Sequence, residues 1–197
     1  MSAKSSLRIY RSKRNFAITS EPARSQRQSS EAGHRFVIHK HDASHLHYDF
    51  RLQVGRVLKS WAVPKGPSLD PRIKRLAVAV EDHPLDYGDF EGTIPKGEYG
   101  GGTVMVWDTG TYRNITEKNG EPVPMTQALA EGRVSIWLDG HKLQGGFALI
   151  HTKRPQQKNW LWFKLQDEKA DTRHDILKKD KSAVTGRTMQ QIAQGAQ

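Results

Sequence analysis

From Arg35 onward the chain divides into short alternating or wholly apolar runs broken by Gly, Pro and Asp, a pattern that predicts a mainly β domain. Eight stretches qualify as strands: 35–39, 45–54, 57–63, 75–82, 103–109, 133–139, 143–152 and 160–166. Each is rich in Val, Ile, Leu, Phe, Tyr or Trp. Eight strands are enough to close a small barrel. Helical periodicity is confined to short stretches at 124–131 and 171–179, which argues against a parallel α/β architecture. The expected organisation is a small closed β-barrel over residues 34–170, preceded by an arm (1–33) and followed by a polar basic tail (171–197) that is poorly ordered from Lys178.

Residues 1–33 carry seven Lys or Arg against Glu21 and Glu31, with many Ser, and read as a partly ordered basic arm or a solvated leader. The whole chain of 197 residues has 31 Lys and Arg against 21 Asp and Glu, a net charge of +10 and an isoelectric point near 9.9. That balance favours a polyanionic partner, nucleic acid before an anionic membrane. No run approaches the roughly 18 apolar residues of a spanning helix, and the first 20 residues lack the apolar core of a signal peptide. A cytoplasmic protein is expected. With no cysteine, any metal must be held by His, Asp, Glu or backbone oxygen.

The densest candidate chemistry lies in residues 41–51. Read as a strand, residues 45–52 place Leu46, Tyr48, Phe50 and Leu52 on one face and His45, His47, Asp49 and Arg51 on the other. Imidazoles and a carboxylate suit a divalent transition metal, and three protein ligands leave coordination positions open for water or substrate. Residues 75–83 repeat the division, with Leu76, Val78 and Val80 against Arg75, Glu81 and His83. If the two polar faces meet, Arg51, Arg75 and His83 surround a metal at His41, His47 and Asp49, an arrangement that would polarise a phosphoryl group. The plainer alternative is two strands with solvated outer faces. Spacing alone does not select His41 over His39 or His45, and by parity His45 is the stronger rival.

Other features carry less. The loop 86–102 lacks the Gly-Lys-Ser/Thr ending of a phosphate-cradling loop and reads as turns at a barrel rim. Lys65 could reach a phosphate from the end of a strand, although solvation is the default for a loop lysine. Trp107, Trp137, Trp160 and Trp162 sit among strand-forming neighbours and are expected mostly to pack in the core rather than stack bases. No Gly-x-Ser-x-Gly elbow supports a serine hydrolase.

Residues 41–51, Trp61-Ala62-Val63-Pro64-Lys65-Gly66-Pro67-Ser68, residues 75–87 and Phe90-Glu91-Gly92-x-Ile94-Pro95-x-Gly97-x-Tyr99-Gly100 resemble, in order, the 3'-phosphoesterase domain of bacterial DNA ligase D in its stand-alone form. The resemblance implies a barrel-like fold and a manganese-dependent enzyme, other divalent transition metals being alternatives, that heals 3' ends during end joining of double-strand breaks. A phosphodiesterase step would remove the terminal nucleoside from a ribonucleotide-ended primer, and a phosphomonoesterase step the remaining 3'-phosphate. It implies His41, His47 and Asp49 as metal ligands and Arg51 and His83 as phosphate contacts, with Glu81, Lys65, Arg75 and Tyr87 supporting the site or the substrate. It adds Arg14 and Glu21 for the diesterase step. The family usually has an acid after that arginine, where this chain has Asn15. Chemically, Arg51 and His83 would neutralise developing charge, a protonated His83 would donate to the leaving oxygen, and Glu81 would hold its ring. Expected partners are DNA 3' ends on a primer-template, with a separate DNA ligase, polymerase and end-binding protein.

Two rivals are distinguishable. A non-catalytic module that holds DNA ends and recruits a ligase would bind in a salt-sensitive way without turnover. A non-haem iron oxygenase would also use two histidines and a carboxylate, but Arg51, Arg75 and the net charge favour phosphate.

Overall fold

The computed structural model describes residues 7–26, 34–152 and 158–195; the expectations placed on 1–6, 27–33, 153–157 and 196–197 lie outside the described residues. Its strands are β1 (His34–Asp42), β2 (Leu46–Val54), β3 (Val57–Val63), β4 (Arg75–Ala79), β5 (His83–Pro84), β6 (Gly92–Ile94), β7 (Gly102–Asn114), β8 (Glu117–Lys118), β9 (Glu121–Pro122), β10 (Arg133–Gly140), β11 (Gln144–His151) and β12 (Asn159–Lys164). Among the described residues three short α-helices accompany them: α1 (Arg8–Ser12), α2 (Met125–Glu131) and α3 (Met189–Ala193).

Eight strands form a closed antiparallel barrel in the order β1-β2-β3-β4-β12-β11-β10-β7, and β7 pairs with β1 to close it. These are the eight stretches the hydrophobic pattern predicts, because alternation marks a strand with one face in a core. β7 is longer than expected, 13 residues, since it pairs with β1 along one edge and with β6 and then β10 along the other. The β1–β7 register shifts between Ile38 and His39. The extra residue on β7, Trp107, reverses its parity, so Met105 before it, Trp107 itself and Tyr112 after it all join the core.

Inside, Phe50 stacks on Trp162 at 4.4 Å and 9°, with Phe147 5.6 Å from the same indole. Trp107, Trp160 and Trp162 are buried as expected, while Trp137 is half-buried. These indoles explain a correction at β4. Alternation predicts Leu76, Val78 and Val80 as its inward face, but Ala77 is the buried core residue and Leu76 is exposed. Ala77 lies opposite Trp160, and Trp61 opposite Ala79, so the large rings leave room only for small side chains there.

A second hydrophobic cluster lies outside the barrel. Val37, Leu58 and Val106, on the outer faces of β1, β3 and β7, pack with Leu85 and Tyr87 and with Tyr10 from the arm, flanked by Phe16 and Phe90. Tyr10 is fully buried and donates its hydroxyl to the Pro22 carbonyl at 2.9 Å. The described part of the arm is thus anchored to the barrel wall by an aromatic residue.

The C-terminal expectations need revision. Residues 171–179 form only a single 3-10 turn (Ile176–Lys178), because Asp171 accepts from the Arg173 and His174 amides and Asp175 from Leu177, bonds that compete with a continuous helix. Beyond Lys178 the chain is built onto the barrel. Ile176 and Ile192 bury in the core, Trp107 donates Nε1 to the Lys179 carbonyl at 2.6 Å, and Thr188 and Gln191 form a capping box that starts α3. Ile176, Leu177, Met189 and Ile192, scattered through a polar stretch, are too sparse to reveal this by periodicity. No helix among the described residues is long and apolar enough to cross a membrane.

Candidate metal and phosphate site

Antiparallel pairing of β1 and β2 sets His41 directly across from His47 and His39 across from Asp49. These residues occupy the outer face of the barrel, since the alternate positions Phe36, Ile38, Tyr48, Phe50 and Leu52 fill its core. Register therefore brings His41 beside His47, a pairing that spacing along one strand leaves undetermined. The ligating atoms of His41, His47 and Asp49 all lie within 4.8 Å of one another.

Backbone carbonyls fix both rings. His41 Nε2 donates to the Gly100 carbonyl at 2.8 Å, leaving Nδ1 as a lone pair 3.7 Å from Asp49 Oδ2. His47 does the opposite: Nδ1 donates to the His45 carbonyl at 2.9 Å, leaving Nε2 3.8 Å from Asp49 Oδ1. His45 contributes through its backbone, and its side chain is exposed. Two imidazole lone pairs and a carboxylate thus face one small volume, each ring oriented from behind as metal-ligating histidines are. The donor set fits a divalent transition metal.

Arg51 organises the neighbouring half. Its guanidinium donates Nε to His39 Nδ1 at 3.1 Å, one terminal nitrogen to Ser60 Oγ at 2.8 Å and the other to Asp49 Oδ2 at 3.0 Å. Burial alone would raise the Asp49 pKa, but Arg51, with His41 and His47 close by, holds the carboxyl well below the usual carboxylate range. Asp49 is therefore ionised and available as a ligand. His39, fully buried, is pushed well below its ordinary pKa by burial and then by Arg51, so it meets the guanidinium as a neutral acceptor.

His83 lies between two guanidiniums. Its Nδ1 is 2.8 Å from the Glu81 carbonyl and 2.9 Å from Arg51, and its Nε2 is 3.4 Å from Arg14. Nδ1 cannot both donate to the Glu81 carbonyl and accept from Arg51, so the tautomer decides which contact is made, and either neutral form leaves one ring nitrogen to accept from a guanidinium. Burial, then Arg51 and Arg14, push the His83 pKa well down, so the ring is neutral. The ring is thus not the resting proton donor that the sequence suggested. Glu81 holds it through the backbone, while the Glu81 carboxylate pairs with Lys13 at 3.0 Å and Arg14 at 3.3 Å.

Arg14 arrives on the arm. Its Nε donates to Glu21 Oε1 at 2.8 Å, its guanidinium covers the Tyr10 ring at 3.9 Å, and Thr19 Oγ1 donates to the other Glu21 oxygen at 3.0 Å. Glu21 acts here by holding Arg14. Tyr87, buried with its pKa raised well above normal chiefly by burial, lies under Arg51 at 4.8 Å. Among the described residues its hydroxyl has no hydrogen-bond partner, which leaves a donor to spare in the cleft. The three ligand candidates with Arg14, Arg51, Glu81, His83 and Tyr87 line a cleft of about 310 Å³.

Lys65 and Arg75 are not among the residues lining this cleft. Lys65 is exposed after β3, and Arg75 shares its face of β4 with the core residue Ala77, opposite Val80, which does line the cleft. The meeting of polar faces expected for Arg75 therefore does not occur. Strand β4 ends at Ala79, and the turn that follows delivers Glu81 and His83 without it.

The DNA Ligase D 3'-phosphoesterase domain family matches residues 39–151, more than half of the chain and the segment that carries the three ligand candidates, Arg51 and His83. The chain belongs to this family. It is 49% identical over 179 residues to the multifunctional non-homologous end joining protein LigD of Pseudomonas aeruginosa, covering 89% of this chain and 20% of that protein. It is 42% identical over 164 residues to the protein of that name from Mycolicibacterium smegmatis, covering 83% and 21%. The multifunctional non-homologous end joining DNA repair protein LigD of Mycobacterium tuberculosis is 42% identical over 160 residues, covering 81% and 20%. The chain thus spans about a fifth of the length of these relatives.

For a member of this 3'-phosphoesterase domain family, Asn15 in place of the usual acid has a local explanation. Its Oδ1 accepts from the Ala17 amide at 3.2 Å and its carbonyl accepts from Ile18 and Thr19, so the exposed residue shapes the turn between Arg14 and Glu21. Aspartate would make the same turn. We expect Asn15→Asp to change single-turnover cleavage of a ribonucleotide-ended primer by less than about threefold, in line with other exposed substitutions. A large gain would show that the missing charge is used in catalysis.

Sequence reasoning missed four contributors: Lys13, Ser60, the carbonyl of Gly100, and His39 in its role as acceptor for Arg51. Only His39 carried a signal, its parity with His41. The others depend on contacts between distant segments.

Proposed function

We propose that the chain is a divalent-metal-dependent 3'-phosphoesterase that heals 3' ends of DNA in double-strand break repair by end joining. The convergence of two carbonyl-oriented imidazole lone pairs and an ionised carboxylate beside Arg51 and Arg14 carries this reading, with the family membership in support. Manganese is the metal we favour, held by His41 Nδ1, His47 Nε2 and Asp49. When bound, such an ion acts as a Lewis acid on a phosphoryl oxygen.

The chain's own residues do the remainder. In the cleft and directly behind its lining, three cations (Lys13, Arg14 and Arg51) are matched by three carboxylates (Glu21, Glu81 and Asp49), so the site without metal is close to neutral and phosphate binding would draw on the added divalent charge. Arg51 and Arg14 donate to phosphoryl oxygens as charge builds on them, and the Tyr87 hydroxyl adds a neutral donor. His83, neutral, spaces the two guanidiniums. A cleft of about 310 Å³ admits a nucleotide-sized group rather than a duplex, so the substrate presents a strand end. The substrates we propose are a 3'-ribonucleotide end, cleaved as a diester, and a 3'-phosphate end, cleaved as a monoester, on a primer-template whose ligation falls to a separate ligase.

The deciding experiment is a gel assay of the protein with manganese on 5'-labelled primer-templates ending in one 3'-ribonucleotide or a 3'-phosphate, alongside His47→Ala. Metal-dependent shortening and phosphate removal, both lost in the variant, are expected. Salt-sensitive DNA binding with no turnover on either end would instead establish an end-binding module.

A further inference from the structure

Beside its charged groups the cleft is lined by apolar Ala62, Val80 and Ile94 and by Tyr99. Among the described Phe, Tyr and Trp residues, Tyr99 alone is largely exposed, at 46%. An exposed ring on a loop is usually mobile, yet this one is held. Its hydroxyl accepts from Lys13 Nζ at 3.0 Å, and the same ammonium lies 4.4 Å from the ring centroid while pairing with Glu81. The loop beneath it is folded by turns that return the Glu98 amide to the Pro95 carbonyl and the Gly101 amide to the Glu98 carbonyl. Gly97 and Gly100 adopt φ of 96° and 78°, which only glycine takes readily. The residue after the ring, Gly100, gives its carbonyl to His41, which ties the position of Tyr99 to the metal ligands.

An aromatic face fixed at the opening of a phosphate-binding cleft matches the chemistry of a nucleotide, charged at one end and flat and apolar at the other. We propose that Tyr99 is a stacking platform for the base of the 3'-terminal nucleotide whose phosphate enters the site, an inference that rests on the phosphoesterase reading above. Every base has a π face, so such a platform grips an end without regard to sequence, as the healing of random breaks demands. Lys13 fixes the ring from the arm and adds cationic charge near the strand.

The test pairs two changes. Primers ending in a 3'-phosphate are made with a normal terminal nucleotide or with an abasic one, and steady-state kinetics with manganese are measured for wild type, Tyr99→Ala and Tyr99→Trp. Stacking of one base on an aromatic side chain corresponds to a change of about 5- to 150-fold. Wild type is expected to lose about tenfold in KM when the base is removed, Tyr99→Ala to lose as much on the normal end and nothing further on the abasic one, and Tyr99→Trp to behave as wild type. Additive losses, or an unchanged KM in Tyr99→Ala, overturn the platform and leave the function standing. A fall in manganese affinity of Tyr99→Ala that parallels the KM loss also overturns it, because the ring would then act only through Gly100 and His41. A wild type inactive on every end overturns the function and the platform together.

Discussion

Replacing Arg51 by lysine lowers kcat/KM on a 3'-phosphate end by about 10²–10³, the cost of removing one preorganised transition-state donor. Arg51 is 2% exposed, and its guanidinium meets His39, Ser60 and Asp49 with three different nitrogens. An ammonium is a point charge and cannot span those partners and a phosphate together. Arg51→Met should go further, since it leaves the Asp49 carboxylate buried without its counter-charge, and a thermal melt should show it clearly destabilised. Breaking a buried pair on one side typically costs about 3–5 kcal/mol. Kinetics of Arg51→Lys within about tenfold of wild type would remove Arg51 from the phosphate-binding set.

The second large effect is on stability. Phe50 is fully buried, stacked on Trp162 at 4.4 Å and on Trp61 at 5.9 Å. Phe50→Ala should cost about 3–5 kcal/mol through lost burial and the cavity left behind. For a chain of this length that corresponds to a fall in Tm of roughly 10 °C. Phe50 lies between Asp49 and Arg51 in sequence but on the opposite face of β2, so the same residue run builds the core inward and the site outward. A shift of only one or two degrees would mean that the barrel repacks around the vacancy.

The position of the site explains the role of the arm. A barrel interior filled by Phe50, Trp107 and Trp162 has no room for substrate, so the chemistry sits on the outer wall and needs a cover. The arm and the loops after β4 and β6 provide it, through Tyr10 packed on the wall, Arg14 against His83 and Glu81, and Lys13 joined to Tyr99. An arm anchored by one buried aromatic residue can thus deliver charged groups to the open side of a cleft whose wall is built by β1, β2 and β3.

Alternation along the chain determined the eight barrel strands and the division of β2 into a core face and a polar face, because burial of one side of a sheet imposes a period of two wherever that side is apolar. Motifs within 41–51 and 75–87 determined the family and the residue types of the site. Tertiary structure decided which residues meet. The choice of His41 follows from β1–β2 register, and the tautomers of His41 and His47 from carbonyls at Gly100 and His45. The exclusion of Arg75 follows from two indoles, Trp160 and Trp61, that leave room only for Ala77 and Ala79 on the inner face of β4, and the neutrality of His83 from burial and then from two guanidiniums, one of them carried in on the arm. Each of these depends on segments far apart in the chain, which local periodicity cannot relate, and on burial, which sets charge states only once the chain has closed around them.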